Sequence, residues 1–250
     1  MQRIDLTLPT PAENLALDEA LLEWAESGGP DLEFVRLWES TTPLVVVGRS
    51  SRVDQEVDTA ACRARGIPIL RRSSGGAAIV AGPGCLMFAV VLSYRLRPEL
   101  RDIRRAHQFV LGRLTDALRP HLSPMADVAQ AGTSDLVLFD RQGNLPPRKF
   151  SGNSLRARRT HLLYHGTLLY NFDLSLITKC LTMPPRQPDY RGARSHGDFL
   201  ANLPLPRPAL IQAVDRAWPT SEPLLRLPQE RVDNLVADRF SRDEWNLEFG

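Results

Sequence analysis

Residues 71–80, which read RRSSGGAAIV, constrain the fold of this chain more than any other stretch. Apolar residues 67–70 before them predict a short buried strand, and residues 77–80 predict another. Two adjacent glycines let a backbone approach a ligand closely, because no Cβ intervenes. Arginines offer forked donors that suit carboxylate and phosphate oxygens. The stretch therefore predicts a strand–loop–strand unit that can cradle an anion. A plain hairpin, with glycines that only make the turn and solvated arginines, remains the alternative.

Helices and strands are predicted on both sides of this unit. Thr10, Pro11 and Glu13 form a capping box that starts a helix, and residues 27–30 end it. Asn14 and Asp18 lie near its buried face, where we expect local hydrogen bonds. Further strands are predicted at residues 2–8 (an edge strand), 33–39, 44–48, 85–93, 136–139 and 162–170, with a short one at the end of the chain. Further helices are predicted at residues 54–65, 102–118, 173–181, 208–217 and 229–239, with a long loop at 184–208.

This arrangement predicts an α/β sandwich with mixed or antiparallel sheets, because strands dominate the first two thirds without a regular βαβ alternation. The length of 250 residues allows one large domain or two small ones. We see no linker between independently folding units, and we expect a single domain over residues 1–250.

Composition excludes several classes of protein. The net charge of +2 is too small to indicate nucleic-acid binding by itself. Three cysteines without CxxC spacing argue against a disulfide framework or a zinc site, and for a reducing compartment. There is no signal-peptide pattern, and the apolar stretch at residues 85–92 is too short to span a bilayer. We therefore expect a cytoplasmic protein with neither nucleic acid nor membrane as partner.

Four polar segments lie at predicted strand ends, and together they suit a nucleotide and a small acid. They are residues 71–76, 134–135, 149–153 and 165–167. Arginine and lysine neutralise phosphate charge, and an aspartate can hold magnesium. The chain has neither a P-loop, nor a GxGxxG dinucleotide fingerprint, nor a GxSxG nucleophile elbow, nor an HExxH metal motif.

These segments belong to a longer ordered series that resembles the lipoate–protein ligase family, which also contains biotin ligases and lipoyl or octanoyl transferases. The series spans residues 10–205, and several ordered motifs are far more specific than one. It comprises NLALDEALL at 14–22, GR at 48–49, RRSSGG at 71–76, SDL at 134–136, KFSGNS at 149–154 and HGTLL at 165–169.

The resemblance implies a fold, a reaction and partners. The fold is a class II aminoacyl-tRNA synthetase/biotin-ligase-like catalytic domain with mixed, largely antiparallel sheets flanked by helices. The reaction activates lipoate, or octanoate, with ATP and Mg²⁺ to an acyl-adenylate, and passes the acyl group to a carrier lysine. The implied partners are lipoyl carrier domains, either 2-oxoacid dehydrogenase E2 subunits or glycine cleavage H protein. No accessory domain is expected at the C-terminus, and a separate chain is a possible source of one.

The resemblance also implies roles for individual residues. Lys149 matches the catalytic lysine that contacts the carboxylate and the α-phosphate. Asp135 matches a residue near the nucleotide and its metal. The remaining residues implied in ligand binding are Arg71, Arg72, Ser74, Gly75, Gly76, Ala77, Gly152, His165, Gly166 and Thr167. The chain departs from the family pattern at Ala77, where a third glycine is usual, and at Ala81 and Gly82, where His-Asp is usual.

Three alternatives remain open. An ATP-independent acyltransferase would need a cysteine nucleophile, and Cys180 lies near but not at the place where one subfamily has it. A non-catalytic protein could bind the acyl group or the adenylate, although Lys149 is one of only two lysines. A biotin ligase usually has a different glycine-rich loop.

Arg186, Arg191 and Arg194 in the late loop form either a solvated face or a surface for the nucleotide or an acidic carrier.

Overall fold

The computed structural model describes residues 1–29, 31–220, 222–223 and 226–248. The strands in this part of the chain are β1 (Gln2–Asp5), β2 (Phe34–Trp38), β3 (Leu44–Val47), β4 (Ile69–Arg71), β5 (Ile79–Ala81), β6 (Cys85–Ser93), β7 (Ala126–Ala131), β8 (Asp135–Asp140), β9 (Arg148–Ala157), β10 (His161–Leu169) and β11 (Glu222–Pro223). The helices there are α1 (Pro11–Gly28), α2 (Val53–Glu56), α3 (Thr59–Ala64), α4 (Ile103–Leu118), α5 (Ser175–Cys180), α6 (His196–Phe199), α7 (Arg207–Ala217), α8 (Gln229–Leu235) and α9 (Asp243–Asn246).

The large sheet has the strand order β11-β1-β2-β6-β10-β9-β8-β7. β1 pairs in parallel with β11 and β2, and the remaining pairs are antiparallel. β6 pairs with β10 along nine residues, from Cys85 opposite Leu169 to Ser93 opposite His161. The mixed, largely antiparallel architecture flanked by helices confirms the predicted fold class.

Two hydrophobic cores cover the two faces of the large sheet, and β6 contributes to both. Cys85, Met87, Ala89 and Val91 face the core formed with α1 and the small sheet, whereas the alternate residues of β6 face the core formed with α4 and α7. Successive side chains of a strand point to opposite faces, so a strand covered on both sides reads as an unbroken apolar run. This is why the sequence predicts β6 so clearly.

The small sheet has the order β4-β3-β5. β4 is parallel and β5 antiparallel to β3, and the two outer strands do not pair with each other. The RRSSGG segment therefore crosses the end of β3, which is buried on all four residues. The hairpin alternative is wrong, because a hairpin requires direct pairing of β4 with β5.

Several predicted elements need correction. β1 is not an edge strand, because β11 and β2 lie on either side of it. The helix predicted at 54–65 is two helices, α2 and α3. Val57, between them, forms a β-bridge with Leu181. Asp58 then caps α3, since its side chain accepts a hydrogen bond from the Ala61 N–H at 2.8 Å. The sequence did not predict β7. The predicted end strand is the helix α9, and the loop at 184–208 contains α6. Pro30, within the predicted end of the first helix, lies outside the described residues.

Helix α1 has the capping box that the sequence predicts. The Glu13 N–H donates to Thr10 Oγ1 at 3.2 Å, and the Thr10 N–H donates to Glu13 Oε2 at 2.7 Å. None of the helices in the described ranges is both long and apolar enough to cross a membrane.

Candidate active site

Two adjoining cavities lie between the small sheet, the large sheet and the segment that precedes α6. They enclose about 840 and about 1110 Å³ of space, part of it open to solvent. We call them the first and the second cavity. Residues that line both form a shared wall, which consists of Ala77, Ala78, Ile79, Asp135, Lys149, Gly152, Arg186 and Pro188.

A lysine–aspartate pair occupies this shared wall. Lys149 Nζ lies 2.7 Å from Asp135 Oδ1, and the Tyr190 hydroxyl donates to Asp135 Oδ2 at 2.7 Å. Adjacent strands β8 and β9 bring the pair together, with a bulge between Leu136 and Val137. Burial raises the pKa of Tyr190, and the Asp135 carboxylate adds to the effect, so Tyr190 stays a neutral donor. The wall therefore carries the Lys149 ammonium between the two cavities, oriented by the Asp135 carboxylate.

Gly152 leaves room for the Lys149 side chain. A Cβ at this position would lie 3.1 Å from both Lys149 Cε and Nζ. The Gly152 N–H donates to Thr167 Oγ1 at 3.1 Å, so β10 supports this point of β9. At neighbouring Gly166, a Cβ would collide with the Asn153 side chain. A side chain at Gly152 would thus press on the end of the Lys149 side chain, and one at Gly166 would displace the Asn153 side chain.

The loop between β4 and β5, which we call the cradle loop (residues 72–78), has its carbonyl groups bound by protein donors. Arg72 donates to the carbonyl oxygens of Val46 at 3.1 Å, Gly75 at 2.6 Å and Ala77 at 2.9 Å. Gly76 accepts a bond from Ser51 Oγ at 3.1 Å. Arg72 is buried, at 7% exposed, and its hydrogen bonds to two loop carbonyls hold the loop in this conformation.

Most N–H groups of the cradle loop, unlike its carbonyl groups, have no partner in the described part of the chain. The Ala78 N–H donates to Glu56 Oε2 at 2.6 Å. The N–H groups of residues 73–77 donate to no acceptor within the described part of the chain. Gly76 has a φ of 88°, a left-handed conformation that glycine adopts without strain. Successive backbone N–H groups in such a turn form a concave site for anions.

A buried chain of four side chains holds the cradle loop against the large sheet. Ser74 Oγ lies 2.5 Å from His165 Nε2, and His165 Nδ1 lies 3.4 Å from Asp18 Oδ2. Asp18 Oδ1 accepts a bond from Arg36 Nη1 at 2.6 Å. Burial alone would raise the pKa of Asp18, but Arg36 and His165 together hold it below its ordinary value. The partners of Asp18 are distant in sequence, so the predicted local hydrogen bonding is wrong for Asp18.

Arg71 has a different environment from the other predicted site residues. It is fully buried and lines neither cavity. Its guanidinium donates to the carbonyl oxygens of Gly48 at 2.6 Å and Trp245 at 2.9 Å, and also to that of Glu248. The Trp245 Nε1–H donates in return to the Arg71 carbonyl, at 2.9 Å. Arg71 thus binds residues 245–248, near the C-terminus, to the strand β4 that precedes the cradle loop.

The other predicted residues are mostly brought together. Those that line one or both cavities are Arg72, Gly76, Ala77, Asp135, Lys149, Gly152, His165, Gly166 and Thr167. Ser74 and Gly75 belong to the cradle loop but line neither cavity. Sequence reasoning missed Tyr190, Glu56 and His196, because no local pattern relates them to Lys149.

The three arginines of the late loop, Arg186, Arg191 and Arg194, differ in their surroundings. Arg186 is exposed and lines both cavities. Arg191 is 3% exposed; its Nε donates to the Arg194 carbonyl at 3.0 Å, and its guanidinium stacks on Phe199 at 4.7 Å. Arg194 donates to the Tyr190 carbonyl at 2.8 Å. Arg191 and Arg194 therefore order the segment that carries Tyr190, and the solvated-face alternative is wrong for Arg191.

All three cysteines are buried, and none lines either cavity. Burial raises the pKa of the Cys62 thiol to about 12, with the neighbouring Cys180 adding to the effect. Burial also raises the pKa of Cys85. A thiolate nucleophile needs a lowered pKa and access to the substrate.

Asp135 does not belong to a cluster of side chains that could bind a metal ion by themselves in the described part of the chain. Within the described ranges, no three or more His, Cys, Asp or Glu side chains are grouped so that they could hold a metal ion. Mg²⁺ in nucleotide sites is commonly bound by one or two carboxylates together with the phosphates. The donor set therefore fits an ion that arrives with a nucleotide better than a permanently bound one.

Comparison with known proteins shows the family of this chain. Residues 10–218 match the model of the lipoyl protein ligase A/B catalytic domain family. The octanoyltransferase LipM of Geobacillus kaustophilus is 25% identical over 274 residues, which cover 98% of this chain and 96% of that protein.

Solved structures show the same fold at lower identity. A bi-partite lipoate protein ligase, studied with its E2 lipoyl domain from Thermoplasma acidophilum, superposes with a TM-score of 0.80 at 21% identity, covering 100% of this chain and 96% of that one. A lipoate-protein ligase A bound with ATP superposes with a TM-score of 0.77 at 20% identity, covering 100% of both chains. By the match over residues 10–218, the chain belongs to the lipoyl protein ligase A/B catalytic domain family.

Proposed function

We propose that this protein is an ATP-dependent lipoate–protein ligase, which forms an acyl-adenylate from lipoate or octanoate and transfers the acyl group to a lysine of a carrier domain. One observation carries the proposal: Lys149, oriented by Asp135, lies on the wall shared by two cavities. A reaction that joins an acid to a nucleotide needs two neighbouring pockets and a cation where they meet.

The first half-reaction fits this geometry. The acid carboxylate attacks the α-phosphorus, and negative charge accumulates on the α-phosphoryl oxygens as pyrophosphate leaves. An ammonium fixed at that point stabilises the transition state more than the separated substrates. The N–H groups of residues 73–77 and the exposed Arg186 add donors around the same place. Asp135 is the residue that would hold Mg²⁺, which neutralises phosphate charge when it is bound with the nucleotide.

The second half-reaction needs an amine and little further machinery. Once the carbonyl is activated, placing the carrier lysine beside it supplies most of the acceleration. The likeness to a bi-partite ligase studied with its E2 lipoyl domain supports a lipoyl carrier domain as the partner. It also supports a separate chain as a possible source of an accessory domain. Glycine cleavage H protein is the other expected carrier, and the cytoplasm the expected compartment.

An octanoyltransferase without ATP is the second candidate, because LipM is similar over 98% of this chain. Such a reaction through a thioester needs a cysteine in the acyl site. The three cysteines are buried away from both cavities, and burial raises the pKa of Cys62 and Cys85. These observations favour the ligase.

The deciding experiment mixes the pure protein with Mg²⁺-ATP and lipoate, without a carrier, and measures lipoyl-AMP by mass spectrometry. We expect lipoyl-AMP from the wild type and from Lys179→Ala, since the Lys179 side chain is exposed, lines neither cavity and donates to Ser175 Oγ at 3.0 Å. Lys149→Ala should lower the rate by about 10²–10³-fold, the usual effect of removing one fixed electrostatic group. Wild-type protein that forms no adenylate from lipoate or octanoate would contradict the proposal.

A further inference from the structure

Two side chains from residues 245–248, which we call the 245–248 segment, complete the outer edge of β4. β4 is an outer strand of the small sheet, and the backbone groups on the free side of such a strand need partners. The Arg71 N–H donates to Asn246 Oδ1 at 3.0 Å, and the Arg71 carbonyl accepts from Trp245 Nε1 at 2.9 Å. The segment therefore binds both backbone groups of the residue that directly precedes the cradle loop.

The same segment also reaches the cradle loop itself, through Arg49. The Arg49 N–H donates to the Ser74 carbonyl at 2.8 Å. The Arg49 side chain pairs with Glu248 Oε2 at 2.6 Å, and its guanidinium lies 4.6 Å from the centre of the Trp245 ring. A guanidinium over an indole ring is attracted by the face of that ring. The segment thus acts on the loop at two points, one at Arg71 and one at Ser74.

Asn246 is anchored in the hydrophobic core through Phe240. It is 4% exposed, and its Nδ2 donates to the Phe240 carbonyl at 3.0 Å. Because the Arg71 N–H needs an acceptor, the amide has one orientation, with Oδ1 toward Arg71 and Nδ2 toward Phe240. Phe240 packs in the core formed with α1 and ends a π-helical turn, Val236–Phe240. Single π-helical turns are frequent at functional sites.

The cradle loop depends on such contacts for the direction of its N–H groups. Within the described part of the chain, the N–H groups of residues 73–77 donate to no acceptor, so no bond of their own fixes them. Donors of this kind stabilise a transition state when they are already in place as charge develops. A displacement of about 1 Å can lower a rate by about 10²-fold. Contacts at the start of the loop can therefore control the rate without touching the substrate.

We propose that Trp245 and Asn246 are positioning residues for the adenylation step, because they hold the Arg71 backbone and so keep the N–H groups of the cradle loop directed at the phosphoryl oxygens. The inference rests on the proposed ligase function. Neither side chain lines the first or the second cavity, so both act through Arg71 and not on the substrate.

The first test measures kcat and KM for lipoyl-AMP formation from Mg²⁺-ATP and lipoate, by mass spectrometry. Asn246→Ala removes the bonds to Arg71 and to Phe240, and should lower kcat by about 10²-fold. Trp245→Phe keeps an aromatic ring and removes only the Nε1–H donor, so the loss of kcat should be smaller. The KM for ATP should change little in both variants, because the directed N–H groups act mainly in the transition state.

Asn202→Ala is the matched control, because the Asn202 side chain also bridges two backbone groups. The Phe172 N–H donates to Asn202 Oδ1 at 3.1 Å, and Asn202 Nδ2 donates to the Phe172 carbonyl at 3.0 Å. Asn202 lines neither the first nor the second cavity. This variant should unfold at a lower urea concentration than the wild type and form lipoyl-AMP at the wild-type rate.

A second readout needs no ligase activity. Trypsin cleaves after arginine, and Arg71 and Arg72 are 0% and 7% exposed. In folded Asn246→Ala we expect cleavage after these two residues to be about 10-fold faster than in the wild type, the change in local opening that loss of roughly one hydrogen bond causes. Asn202→Ala should match the wild type at these two bonds, which mass spectrometry of the early fragments measures.

An unchanged kcat in both variants, or a loss no larger than that of Asn202→Ala, would refute the positioning role and leave the segment a structural support. Faster cleavage at Arg71 without a loss of kcat would refute it as well. If Asn246→Ala does not fold, Trp245→Phe decides. Formation of lipoyl-AMP by the wild type separates these outcomes from failure of the ligase proposal, since a wild type that forms none would overturn both.

Discussion

Replacing Gly48 by alanine tests whether the position of the cradle loop controls activity. Gly48 follows β3, and a Cβ built there would lie closer to the Gly76 carbonyl oxygen than the 3.0 Å below which real Cβ atoms are not found. The obstacle is backbone, so a side-chain rotation cannot relieve it. Ser51 Oγ, which binds that same carbonyl at 3.1 Å, also lies 3.1 Å from the added Cβ. The cradle loop must therefore move.

The size of the effect follows from the geometry. A shift of about 1 Å at a binding group can cost about 10²-fold in rate, and overpacking costs about 1–3 kcal/mol of stability. We expect Gly48→Ala to lower the rate of lipoyl-AMP formation by that factor and to lower the free energy of unfolding within that range. Gly48 has no left-handed φ, so the effect is steric and not conformational.

Gly112→Ala is the matched control. Gly112 lies within α4, and a Cβ there meets no atom within 4 Å. Alanine in a helix interior is favoured over glycine by about 1 kcal/mol, so this variant should be slightly more stable and equally active. The rates come from mass spectrometry of lipoyl-AMP, and the free energies from urea unfolding. Unchanged adenylation by Gly48→Ala would show that the cradle loop does not hold the adenylate.

Two further outcomes are expected. Cys180→Ser should leave carrier transfer almost unchanged, because the thiol is buried away from both cavities; loss of transfer in this variant would favour the thioester route. The free energy of unfolding should fall as the pH drops below about 6.5, because burial lowers the pKa of three histidines in the folded state, and the unfolded chain then binds more protons. These histidines are His107, His161 and His196. Urea midpoints at pH 7.5 and 5.5 measure the effect, and equal midpoints would contradict it.

Local physics made several elements predictable from sequence. The capping box of α1 involves only Thr10 and Glu13, three residues apart. The start of α4 depends on Asp102, whose side chain accepts the N–H groups of the first turn. β6 was predicted with its observed bounds, because both of its faces are buried and the run is apolar throughout. Such elements need no information about distant partners.

The site was predictable in part. The resemblance named Lys149 and Asp135, and the structure places them 2.7 Å apart on a shared wall. The sequence also grouped Arg71 with Arg72, but Arg71 is the last residue of β4 and Arg72 the first of the cradle loop, and their side chains bind different parts of the chain. Arg72 therefore faces the cradle loop, while Arg71 faces Trp245 and the end of the described chain. Their roles as ligand-binding residues remain predictions.

The sequence by itself determined the starts of α1 and α4, the strand β6 and the order of the motifs, because caps and apolar runs act over a few residues. Only the tertiary structure decided that β3 lies between β4 and β5, that Tyr190 binds Asp135, and that Arg36, Asp18, His165 and Ser74 form one chain. These contacts join residues from 18 to 147 positions apart. Buried polar groups must find partners when the sheets and helices pack, and packing, not sequence distance, chooses those partners.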